Sequence, residues 1–123
     1  MKSYFLISIA GVLGILSRHF LELNFGKHGN WIPLGTFGAN MLGCFIAGAI
    51  FQAFQSKLID QSFNTILLVG FCGGLTTFSG YALGAMNDLS NGLELKAIIY
   101  LVTSPIIGVC FAFAGLKIIK LIA

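Results

Sequence analysis

Gly70-Phe71-Cys72-Gly73-Gly74-Leu75-Thr76-Thr77-Phe78-Ser79-Gly80-Tyr81 is the segment that decides how this chain folds. It lies inside an uncharged stretch from Gln61 to Asn87, and about 20 apolar residues suffice for a helix to cross the hydrocarbon core of a bilayer. Two adjacent glycines followed by two threonines make it the weakest helical segment in the chain, because glycine costs backbone entropy and β-branched threonine loses side-chain freedom. Irregular backbone at that depth persists only where it is buried in protein or coordinates something. Carbonyls released at a break are good ligands for a hard cation such as sodium. A continuous helix with a small-residue packing face is the other reading, and the residues alone leave both open.

Outward from this segment, charge is scarce. Only 9% of the 123 residues are charged and 57% are hydrophobic, with mean hydropathy +0.94, against roughly 25% charged in a soluble domain. The charged positions leave three further uncharged stretches, Ser3 to Ser17, His28 to Ser56 and Ala97 to Leu116. The first is short, but Phe20 and Leu21 continue its pattern past Arg18, whose side chain can snorkel to the interface. The pattern predicts an all-α membrane protein, a single domain over 1–123 with spans at about 4–23, 33–54, 63–86 and 95–119. A cleaved signal peptide is the competing reading of the N-terminus, and the absence of a small-residue cleavage site before Arg18 argues against it. The connectors near Gly26 to Asn30, Ser56 to Gln61 and Asn87 to Gly92 leave no room for a soluble domain.

With four spans, Lys2, Lys57, Lys117 and Lys120 fall on one side and Arg18, Lys27 and Lys96 on the other. Orientation follows the excess of Lys and Arg on the cytoplasmic side, so four against three permits insertion both ways. The formal charge of +3 is dispersed and gives no footprint for nucleic acid. Cys44, Cys72 and Cys110 are too far apart for a Cys-x-x-Cys site. His19 and His28 lie near the membrane surface without an obvious partner, so no enzyme is expected.

No carboxylate falls in the middle of a span, and the interior polar groups are neutral: Thr36, Asn40, Thr76, Thr77, Ser79, Tyr81, Tyr100, Thr103 and Ser104. Neutral donors suit a dehydrated anion better than a cation. Asn40 is the one strong hydrogen-bonding side chain of the second span. It either replaces part of an anion's water shell or bonds across helices as glue. Phe78 and Tyr81, three residues apart, share a helix face, and their ring edges carry partial positive charge; packing is the alternative use. Tyr100, Thr103, Ser104 and Gly108 share a face of the fourth span, which Pro105 bends.

At these residues the chain resembles the Fluc (CrcB) family of small fluoride channels. The likeness rests on Gly35-Thr36 to Gly48 with Asn40, on the segment Gly70 to Ser79, and on Gly11, Gly14 and Arg18 in the first span. It implies an antiparallel dual-topology homodimer in the cell inner (plasma) membrane, with two pores and a third helix broken near its middle. Asn40, Phe78, Thr36, Thr77, Ser79, Tyr100 and Ser104 would line or support the fluoride path. Arg18 would sit at a vestibule or serve structure, and the backbone carbonyls of Gly73 and Thr76 would hold a central sodium ion. Tyr81 stands where the family usually has a second Phe, which adds a hydroxyl and puts that position's contact with the ion in question. Fluoride enters cells as neutral hydrogen fluoride and ionises in the less acidic cytoplasm, so the resemblance implies that a passive channel releases it. A small proton-coupled multidrug carrier is one alternative, and a non-transporting assembly subunit is another.

Overall fold

The computed structural model describes residues 2–26 and 32–123. The connector expected near Gly26 to Asn30, with Lys27 and His28, lies outside the described residues beyond Gly26. Among the described residues every regular element is helical. In order they are α1 (Lys2–Phe25), α2 (Leu34–Gln55), α3 (Gln61–Thr65), a π-helical segment (Ile66–Cys72), α4 (Gly73–Leu75), α5 (Phe78–Ser90) and α6 (Glu94–Ile122). α1, α2, the composite third helix over 61–90, and α6 contain 24, 22, 30 and 29 residues, and each is apolar enough to cross a membrane. At about 1.5 Å per residue, even the shortest reaches about 33 Å, which clears the hydrocarbon core. The protein is a multi-pass membrane protein.

These helices run past the uncharged stretches because helical hydrogen bonding continues through the interface. Asp60 starts the third helix by accepting the Phe63 N–H at 2.7 Å. At the far end α5 continues through Asp88 to Ser90, and Gly92 turns the chain into α6 with φ +70°. The Leu93 N–H there reaches back to the Asp88 carbonyl at 2.9 Å, a closure that needs the left-handed residue between them.

Burying apolar side chains gains little in lipid, so close backbone approach must hold the helices together. α2 and α6 form the most extensive pairing, close enough that a Cβ on Gly48 would collide with the Ala112 carbonyl. α1 meets the third helix in the same way, since a Cβ on Gly14 would strike the Phe71 carbonyl and come within 2.8 Å of the Leu75 nitrogen. The fully buried core is correspondingly small, centred on Ala39, Leu75, Ala97 and Tyr100. Leu13, Leu16, Val102, Val109 and Phe113 are exposed on the outer faces.

The third helix is bent by about 20° and interrupted near its middle, as expected. Thr76 and Thr77 adopt extended backbone, with φ/ψ of −86/153° and −146/115°. The interruption falls on the threonines, whereas Gly73 and Gly74 remain helical.

Candidate functional site

Breaking a helix frees backbone groups, and within a membrane each needs a partner. The Thr77 N–H, which an unbroken helix would direct to the Gly73 carbonyl, donates instead to Asn40 Oδ1 at 2.7 Å. Asn40 Nδ2 donates in return to the Thr77 carbonyl at 3.2 Å. This reciprocal pairing admits one orientation of the amide, because the backbone N–H must face its oxygen and the carbonyl its nitrogen. Thr77 Oγ1 accepts the Gly80 N–H at 2.9 Å and caps α5; a continuous helix would have sent that N–H to the Thr76 carbonyl. The break therefore diverts the two donors that would otherwise occupy the carbonyls of Gly73 and Thr76.

Beside the break, α2, α5 and α6 enclose a cleft of about 440 Å³ that is open along one side. Asn40, Thr76, Thr77, Phe78, Tyr81, Ser104 and Gly108 line it, with Met41 and Cys44 on its apolar wall. No charged side chain is among its lining residues. Asn40 thus bonds across helices and also faces the cleft, where the second Nδ2 proton has no partner among the described residues. Phe78 is 81% exposed at the open side. Its ring centroid lies 5.7 Å from that of Tyr81, tilted by 45°, and the Tyr81 ring lies 5.2 Å from Tyr100. The Tyr81 hydroxyl donates to the Leu101 carbonyl at 2.6 Å, which leaves the ring edge as the group this residue offers the cleft.

Other expected site residues lie elsewhere. Tyr100 is almost wholly buried behind Tyr81, and its hydroxyl has no partner among the described residues. Ser104, one turn on, reaches the cleft, while Thr103 is exposed and gives its hydroxyl to the Ile99 carbonyl at 2.7 Å. Thr36 bonds Glu22 Oε1 at 3.3 Å, and exposed Ser79 shares a 3.1 Å hydrogen bond with Thr77 Oγ1. Arg18 is half-buried on α1, one turn beyond Gly14 and so on the side that meets the third helix. Gly73 is exposed. None of Thr36, Ser79, Tyr100, Arg18 and Gly73 lines the cleft. No cluster of three or more His, Cys, Asp or Glu able to hold a metal occurs among the described residues. A cation beside the break would therefore rest on backbone oxygens.

One interaction has no counterpart in the sequence reading, which placed Asp88 in a connector. Asp88 is buried within α5 and pairs with Lys96 of α6 at 2.9 Å, tying the two helices at the end away from the break.

The family model for the CrcB-like protein, Camphor Resistance (CrcB), matches residues 5–116, which include the break and all three walls of the cleft. The chain belongs to the CrcB family. Relatives of this CrcB chain share its length as well as its residues. A fluoride-specific ion channel FluC of Leptospira interrogans, strain Fiocruz L1-130, is 36% identical over 121 residues, covering 97% of this chain and 95% of the relative. A protein of the same description from Chlorobium phaeobacteroides, strain BS1, is 34% identical over 117 residues, or 94% and 91% of the two chains. Another from Phocaeicola vulgatus is 31% identical over 117 residues, covering 94% and 97%.

Proposed function

We propose that this chain is a passive fluoride channel of the plasma membrane, built from two copies inserted in opposite orientations. The observation that carries the proposal is one cleft in which Asn40, Ser104 and the ring edges of Phe78 and Tyr81 converge without a charged side chain. A naked fluoride ion gives up strong hydration, and uncharged donors replace it without the binding that a fixed positive charge would impose. Asn40 is held rigid by its two bonds to Thr77, so its remaining amide proton is already aimed and needs no reorganisation. Thr36, Ser79 and Tyr100 act behind these groups by holding helix ends and the Tyr81 ring.

A cleft open along one side does not enclose an ion, and Phe78 stands at that open side. A second copy supplies the missing wall, and an antiparallel pair supplies it twice, giving two paths. The near balance of basic residues, four against three, accommodates both orientations. Gly73 is exposed on the single copy, and its carbonyl and that of Thr76 lack the donors of an unbroken helix. Two carbonyls from each copy make an all-oxygen set of the kind that suits a hard cation, so these residues fit a structural sodium ion shared at the dimer centre. Sodium there would neutralise the ends of the broken helices. Arg18 serves either the approach to the path or the packing of α1.

The test is fluoride release from liposomes, read with an electrode and prepared with and without sodium. Rapid loss of fluoride with chloride retained is expected, and slower loss after sodium removal. Equal release of both anions overturns selectivity, and pH-driven uptake of an organic cation would replace the channel with a carrier.

A further inference from the structure

Pro105 lies inside α6 and has no N–H, so the carbonyl four residues earlier, that of Leu101, loses its helical hydrogen bond. Within a membrane an unpaired carbonyl is costly, and one beside an anion's route also presents a partial negative charge to it. The Tyr81 hydroxyl, arriving from α5, donates to this same Leu101 oxygen at 2.6 Å. The two helices are packed against each other along this face, and the Tyr81 ring is wedged between Phe78 and Tyr100. We propose that Tyr81 is a positioning residue whose hydroxyl takes the place of the hydrogen bond removed by Pro105, masking the Leu101 carbonyl and fixing the ring edge that faces the cleft.

A phenylalanine at position 81 would keep the ring and lose the mask. Tyr81 and Pro105 are therefore coupled: the hydroxyl matters because residue 105 has no N–H, and it becomes redundant once that N–H is restored. The coupling rests on the reading of the cleft as the fluoride path, and its test separates the two.

Full-length Tyr81→Phe, Pro105→Ala and the double variant are reconstituted in liposomes, and fluoride efflux is measured for each. With Pro105 in place, Tyr81→Phe should slow efflux about tenfold, the scale of one buried acceptor left unpaired. In the Pro105→Ala background the same change should alter efflux less than about twofold, because the N–H restored at position 105 then serves Leu101. A generic packing defect would slow both backgrounds alike, and that result overturns the proposal, as does wild-type efflux from Tyr81→Phe. If Tyr81→Phe does not survive purification as a single species, the Pro105→Ala background carries the test. Recovery of the double variant with efflux matching Pro105→Ala supports the coupling, and a tenfold deficit there overturns it. Asn40→Asp in the same liposomes reports on the path: conduction by that variant rejects the cleft as the route, whereas its silence beside an uncoupled Tyr81 rejects the present inference alone.

Discussion

Replacing Asn40 by Asp changes one atom's identity and separates the two jobs of this side chain. The bond from the Thr77 N–H, now 2.7 Å, is kept and strengthened because a carboxylate oxygen accepts it. The bond to the Thr77 carbonyl, now 3.2 Å, becomes an oxygen facing an oxygen. Losing that contact costs about 1–3 kcal/mol of stability, which a folded dimer can tolerate. The effect on permeation is larger. A carboxylate about 4 Å from a fluoride ion, at an effective dielectric constant of about 20, raises its energy by about 4 kcal/mol. At about 1.4 kcal/mol per tenfold in rate, that is roughly a thousandfold loss of flux. The measurement is electrode-detected efflux from liposomes carrying wild type, Asn40→Asp and Asn40→Ala, with size-exclusion profiles checked first. Asn40→Ala removes both bonds without adding charge, so it should lose more stability than Asn40→Asp and block less completely. Wild-type efflux from a monodisperse Asn40→Asp variant would refute the reasoning.

The helix contacts, the cap on α5 and the buried ion pair are open to the same kind of test. Gly14→Val should prevent recovery of a monodisperse protein or cost about 3 kcal/mol, because its side chain meets the backbone of Phe71 and Leu75; size-exclusion and thermal denaturation in detergent check it. Thr77→Val keeps the shape of the residue while removing the cap on α5, and should lower stability by about 1 kcal/mol and slow fluoride efflux. Lys96→Met strands the buried Asp88 carboxylate and should cost about 2 kcal/mol, less than for a fully enclosed pair because the lysine side chain is 21% exposed. Asp88→Asn in that background should restore most of the loss in the same denaturation measurement, since no charge is then left unpaired.

Much of this architecture was legible because charge punctuates the chain so clearly. Arg18, Lys57 with Asp60, and Glu94 with Lys96 mark membrane edges that no periodicity argument is needed to find. The interruption of the third helix was also legible, but its placement was not. Propensity pointed at Gly73 and Gly74, which stay helical, and the chain opens at Thr76 and Thr77, where Asn40 from another helix supplies the replacement bonds. The two readings of Asn40, donor or glue, competed on paper and coexist in space. Tyr100 and Ser104 share a helix face by spacing, yet the tyrosine ring lies behind Tyr81 and only the serine reaches the cleft. Side-chain length decides this, and spacing does not encode it. The Asp88–Lys96 pair was hidden because it depends on α5 continuing past the apolar stretch. The π-helical turns were hidden because Ile66-Leu67-Leu68-Val69 reads as ordinary aliphatic helix.

Those wide turns govern more than their own seven residues. With about 3.6 residues in each ordinary turn, shortening the stretch between Ile66 and Cys72 by a single residue would swing everything downstream by about 100°. Thr77 would rotate out of reach of Asn40, and the Phe78 ring would point along a different bearing. The number of residues here acts as a phase setting, so a deletion that changed no functional side chain would misalign the whole path as surely as replacing one.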